Sequence, residues 1–340
     1  YAAASRVAAG GTVLVRWPGV SIEHADLEDR GGELRWALVG RQPDGSLALA
    51  TGVGSAEVTS TVPLAPGALA GVALSPDGAT VLRRDASTTD GAGTHPYGGT
   101  EVDLFSLAVR PGTSTYAAGH TRTGEIYQGD VRDAANFETR GTPLRATAPR
   151  EIVFDPLADD ALFVGSFGVY RSDPLTATWQ ERNTGFFSYD PGFFAGPFPV
   201  SAFGALDGGD LWVGGFNGDG PYRSRNSGMI WQRVHEGLGE PGSYESEPGL
   251  PLVTQVRAFA TGPDGVVWMG GFRGGAFRLE PGAGVWEQRS AGLPRVDGSP
   301  IEACCPEPGV SEVDVRDLVA LDDGSLLAAT GWGVYRLPSG

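Results

Sequence analysis

The segment Leu211–Leu238, LWVGGFNGDGPYRSRNSGMIWQRVHEGL, recurs along the chain and constrains its folding more than any other feature. An earlier copy is LFVGSFGVYRSDPLTATWQERNTGF (Leu162–Phe186), a later one is VWMGGFRGGAFRLEPGAGVWEQRSAGL (Val267–Leu293), and LLAATGWGVYRL (Leu326–Leu337) is the first half of another. Trp179, Trp231 and Trp286 stand at equivalent places, 52 and 55 residues apart, as do Arg171, Arg223, Arg278 and Arg336. A unit of this size exposes apolar faces when alone and buries them by stacking on its neighbours.

Each unit holds about four short alternating strands and no segment of helical period, the pattern of propeller blades. Pro-Asp-Gly turns separate strand pairs in ALVGRQPDGSLALATG and GVALSPDGATVLRRD. The expected fold is all-β, a single β-propeller over residues 1–340 with four-stranded blades. Blades are read at 1–34, 35–102, 103–148, 149–197, 198–253, 254–311 and 312–340, which makes seven; dividing 35–102 makes eight. The last copy stops before its Trp strand, so an N-terminal strand is expected to complete it.

Composition narrows the function classes. The net charge is −16 and all 25 basic residues are arginine. The absence of lysine excludes Schiff-base catalysis and a P-loop, and the acidic balance argues against a nucleic-acid partner. No apolar run is long enough for a membrane span. His24, His95, His120 and His235 lack zinc-ligand spacing, and Leu157–Asp160 lacks the alternating oxygen ligands of a calcium loop. No metal site and no cofactor fingerprint is read. Cys304 and Cys305 are adjacent in a Pro-rich loop; they are either free thiols or a vicinal disulfide, the latter favoured in an oxidising compartment. A secreted or periplasmic monomer is expected.

Ser224–Trp231 (SRNSGMIW) resembles the Asp-box, S-x-D-x-G-x-T-W, with Asn226 and Ile230 at the Asp and Thr positions. Ser172–Trp179 keeps the Ser and the Thr-Trp end. The chain thereby resembles the sialidase-like propellers, and in size and box degeneracy the photosystem II assembly factor-like proteins of bacteria. The assembly-factor likeness implies a binder without catalysis. Sialidases would imply an arginine triad, but no Arg-Ile-Pro occurs near the start of the chain.

The ligand face is expected at the end of the ring bearing the turns between second and third strands and the blade linkers. An aromatic recurs in those turns: Trp17, Phe167, Phe216, Phe272 and Trp332. Asp219 and Arg273 share such turns, and Tyr189, Asp190 and Phe193 belong to the aromatic-rich linker 186–198. These ten residues form the candidate ligand-binding set, for a small molecule, sugar or peptide. Each recurrent aromatic has a competing reading as packing at the channel mouth. Asp190, Asp219, Glu240, Glu245, Glu247 and Glu302 are the face acids that a carbohydrate-active enzyme would use. A third reading gives Cys304–Cys305 a biosynthetic or redox role.

Overall fold

The computed structural model describes residues 12–338 apart from 30–32, 65–68, 76–77, 84–85, 90–92, 97–103, 111, 121, 131–132, 144–148, 159, 177, 187–198, 206–209, 216–219, 239–254, 263, 273 and 295–312. Among these residues the structure is all-β. Seven inner strands touch one another in cyclic order around an axis: Ser21–Asp29, Leu69–Ser75, Leu104–Val109, Glu151–Phe154, Val200–Ala205, Gln255–Thr261 and Val315–Ala320. From each inner strand the chain steps outward through an antiparallel sheet.

The expectation of seven, or eight, four-stranded blades is corrected. Among the described residues six sheets are four-stranded blades, and the remaining one is a five-stranded composite. It runs Val315–Ala320, Leu326–Thr330, Gly333–Leu337, then Thr12–Arg16 antiparallel to Gly333–Leu337, then Ala56–Glu57 in parallel. Residues 1–34 therefore do not form a blade. Thr12–Arg16 completes the C-terminal sheet, and Ser21–Asp29 opens the next one. The stretch 35–102 also serves two sheets. Its two turn-centred hairpins fall in different blades, Leu34–Arg41 with Leu47–Val53 in one and Leu69–Ser75 with Gly78–Arg83 in the other. Sequence spacing merged them because neither carries the Trp strand that marks a blade further along.

The turns follow from side-chain chemistry. Asp264 Oδ1 accepts from Val266 N at 3.1 Å and Asp323 Oδ1 from Ser325 N at 2.9 Å. Gly265 and Gly324 supply the positive φ between them, 78° and 77°. Six of the seven inner strands carry a register shift near their start, as between Val200 and Ala202, Val256 and Ala258, and Val315 and Asp317. Such a bulge bends the strand and re-aims the extra residue. Here it turns Glu23, Ser201, Arg257 and Arg316 out of the regular alternation.

Blade-to-blade contact is a tryptophan lock. The indole N–H of Trp179 donates to Arg140 O (2.8 Å), that of Trp231 to Arg182 O (2.6 Å) and that of Trp286 to Val234 O (2.9 Å). Each ring thus fastens its own outer edge to the end of the preceding blade. Trp231 packs with Phe163, Val200, Val213 and Tyr222, residues of two successive blades. The linker reciprocates, for Thr184 O accepts from Trp231 N and Glu236 O from Trp286 N, both at 2.8 Å. Gly185 and Gly237 follow at φ 97° and 85°; a Cβ there would lie 2.1 and 2.2 Å from the carbonyl oxygens of Trp231 and Trp286. Both positive φ and close backbone approach demand glycine.

Candidate functional site

The repeated arginines belong to the scaffold. Arg171 lies 2.7 Å from the buried Asp155 carboxylate and over the Phe163 ring. Arg223 pairs with Asp210 over Trp212, and Arg278 lies 2.8 Å from Glu280 over Trp268. Arg336 pairs with Asp323. Each is held by an acid and, in three cases, an aromatic face, which leaves it committed to its own blade.

The bulged arginines are placed differently. Every inner strand begins where its second strand ends, as Gln255 opposite Phe272 and Val315 opposite Thr330 show. The bulges therefore sit at the end of the ring that carries the second-to-third-strand turns. There Asp314 bridges two blades, with Oδ1 2.9 Å from Nη1 of Arg257 and Oδ2 3.1 Å from Nε of Arg316. The Arg257 guanidinium stands 4.8 Å from the centre of the Phe272 ring, and its buried Nε has no hydrogen-bond partner among the described residues. Burial, outweighing the opposing attraction of Asp314, lowers the Arg257 pKa from its usual value. Glu23, in the neighbouring bulge, accepts from Arg41 Nε at 2.9 Å, and that bond holds its carboxyl below the usual range. Burial, with the charge of Arg316 second, pushes the His24 imidazole down, so the ring is neutral at pH 7. Trp332, in the turn beside Gly331, is 45% exposed, and the Gly331 carbonyl accepts from Ile22 N at 3.1 Å.

Deeper along the inner strands lie three carboxyl groups. Asp317 accepts from Leu27 N (3.0 Å) and Leu318 N (2.9 Å), and Asp26 accepts from Leu74 N. Asp317 and Asp26 therefore each stitch their strand to the next inner strand round the ring. Glu151 feels the charge of Asp317 although their strands lie on opposite sides of the ring, so both face the axis. Burial first, and like charge second, pushes Asp317 and Glu151 up to about 8. Burial raises Asp26 to about 6. Among the described residues no group of three or more His, Cys, Asp or Glu is placed to hold a metal ion, and no helix is long and apolar enough to cross a membrane.

Of the sequence-derived set, Phe167, Phe272 and Trp332 come to this end of the ring. Phe167 bridges to Pro199, which precedes an inner strand, and its carbonyl accepts from the Tyr170 hydroxyl at 3.0 Å. Trp17 lies in the linker between Thr12–Arg16 and Ser21–Asp29. It is 5% exposed in the core formed with Val20, Trp36 and Val334, the packing alternative for that residue. Tyr189, Asp190, Phe193, Phe216, Asp219 and Arg273 lie outside the described residues, as do Glu240, Glu245, Glu247, Glu302, Cys304 and Cys305. Sequence reasoning missed Arg257, Asp314, Arg316, Asp26, Asp317 and Glu151. A signal existed: QVRAFAT and DVRDLVA each place an arginine directly after a valine at the start of an inner strand.

No family model matches the chain, and no curated protein matches it either. Solved structures do. A catalytically inactive virginiamycin B lyase of Staphylococcus aureus with quinupristin is similar at 12% identity and TM-score 0.60, over 94% of this chain and 95% of that one. YCF48 bound to D1 peptide is similar at 12% identity and TM-score 0.57, over 100% and 97%. The extracellular domain of a one-component system from B. thetaiotaomicron is similar at 9% identity and TM-score 0.59, over 96% of this chain and 40% of that one. The chain thus spans about two fifths of that relative. These likenesses establish the propeller fold.

Proposed function

We propose that this chain is a secreted or periplasmic propeller that binds a small molecule or peptide at the turn-and-linker end of its ring, without catalysis of its own. The observation that carries the reading is the Arg257–Asp314–Arg316 bridge beside Phe272 and the exposed Trp332. On a chain of net charge −16, two guanidiniums sharing one carboxylate are an island of positive charge. The partly exposed Arg257 and Arg316 side chains and the adjacent aromatic surface suit a ligand that offers a carboxylate or other oxygen acceptor together with an apolar portion. YCF48 in complex with a peptide supports the plausibility of peptide capture on this fold, and the extracellular domain noted above supports an extracytoplasmic setting.

Ser224–Trp231 also supports assignment of the turn to the Asp-box class. Asn226 Oδ1 accepts from Ile230 N at 2.9 Å, Ser224 Oγ accepts from Gly228 N at 3.0 Å, and Gly228 has φ 76°. This box belongs to the scaffold and takes no part in binding. A vicinal Cys304–Cys305 disulfide is retained as part of the extracytoplasmic reading, to be checked by mass spectrometry of the unreduced protein.

The binding reading is tested with a library of short aromatic peptides prepared as free acids and as amides. Free acids are expected to bind preferentially, with Arg257→Gln and Arg316→Gln each weakening them about tenfold or more, equivalent to about 1.4 kcal/mol. Equal binding of acids and amides, or no effect of either substitution, overturns it.

A further inference from the structure

A second opening lies at the other end of the inner strands. A cavity of about 330 Å³ is formed by the later halves of four of them, lined by Val72, Leu74, Leu107, Val109, Val153 and Phe154, with Asp26 as the one ionisable residue among the described residues of its wall. Its size falls within the range of small-molecule sites. It is separate from the arginine end, which is built from the first halves of the strands.

We infer that this cavity binds a small amphiphile with a protonated amine, its apolar body against Leu107, Val109 and Phe154 and its ammonium on the Asp26 carboxylate. The charges around Asp26 favour that chemistry. On its own strand are Glu28, paired at 3.4 Å with Arg35, and the neutral His24. On one flanking strand is Asp317, which the charge of Asp26 helps to push toward its neutral form, with Glu151 across the axis. On the other flank Leu74 N donates to one carboxylate oxygen. The nearby cation Arg110, over the Phe154 ring at 4.9 Å, is paired with Asp160. An anion would meet repulsion from the Asp26 carboxylate, and a neutral apolar molecule would leave its charge without a counter-charge. A cation relieves both, at a site where the surrounding apolar wall strengthens the attraction. Because burial lifts Asp26 to about 6 in the free protein, a bound ammonium draws its pKa down, and binding near pH 6 releases a proton.

The experiment uses the full chain and two isosteric probes, 2-phenylethylammonium and 2-phenylethanol, by titration calorimetry and by methyl chemical shifts of Leu107, Val109 and Val153. At about pH 7.5 the ammonium is expected to bind at least about tenfold more tightly than the alcohol. Asp26→Asn should abolish that preference while leaving the alcohol unchanged. Val109→Trp, which fills the cavity, should abolish both. Near pH 6 the heat of ammonium binding should vary with buffer ionisation enthalpy as expected for proton release. Equal binding of the two probes, no saturable binding of the ammonium, or ammonium binding that survives Val109→Trp each overturns the inference. Should Asp26→Asn fail to fold, the wild-type probe pair and Val109→Trp decide the matter.

Discussion

At the rim of the ring Trp179, Trp231 and Trp286 lie out of water with their single polar atoms satisfied by a neighbouring backbone carbonyl. At the axis Asp26, Glu151 and Asp317 are also withdrawn from water, but crowded by like charge and pushed toward the neutral form. The rim uses burial where it stabilises most, on large apolar rings with one polar handle. The axis keeps ionisable groups where an apolar side chain would be more stable. A fold that holds itself together at its circumference can carry costly chemistry at its centre, which is where a propeller can meet a ligand.

The largest effect that would test this contrast is at the rim. Trp231→Ala should cost about 3–5 kcal/mol in urea unfolding, with the loss the same at pH 5 and pH 8, since nothing at the lock titrates between them. A cost below about 1 kcal/mol would deny the lock its role. Next is the bridge at the arginine end. Asp314→Ala leaves Arg257 and Arg316 facing each other without their shared carboxylate, and about 2 kcal/mol should be lost, more at low salt than at high salt. An unchanged midpoint at both salt concentrations would mean that the bridge holds nothing together.

The axis should behave in the opposite sense to the rim. Carboxylates of the unfolded chain titrate near 4, whereas Asp317 and Glu151 titrate at about 8 in the folded ring. The folded state therefore holds more protons across that interval, and stability falls as pH rises from about 4 to about 8. Asp317→Asn removes one of these groups while keeping an acceptor for Leu27 N. It should stabilise the protein at pH 8 by about 1 kcal/mol or more relative to its effect at pH 4, read from melting curves at both values. A pH-independent effect would place Asp317 in ordinary solvent. The smallest stability change is expected for the exposed Trp332. Trp332→Ala should shift unfolding by less than about 0.5 kcal/mol while weakening peptide capture, so a large loss of stability would reassign it from the ligand surface to the core.

The rim was legible in the sequence and the axis mostly was not. Trp179, Trp231 and Trp286 recur at near-constant spacing because each must reach the same carbonyl of the blade before it, so periodicity reports a contact directly. The N-terminal sheets lack that lock, and without it the spacing of 35–102 no longer resolved two blades. Asp26, Glu151 and Asp317 come from strands scattered round the ring and meet only through closure, which no local pattern encodes. Arg257 and Arg316 sit in bulges, where one extra residue changes the face to which a strand position points, so alternation counted along the sequence misplaces them. Trp17 showed the converse: an aromatic in a Gly/Pro turn looked like a ligand contact and is sealed into the core.

The pairing of Thr12–Arg16 with Gly333–Leu337 has a consequence for the ribosome-bound chain. The first described strand leaves the tunnel long before its partner exists, and must wait with an open edge while the intervening sheets form. Such an edge invites pairing with a foreign strand. A protease acting before ring closure would thus find an easy target at Thr12–Arg16, and pairing with Gly333–Leu337 removes that weakness.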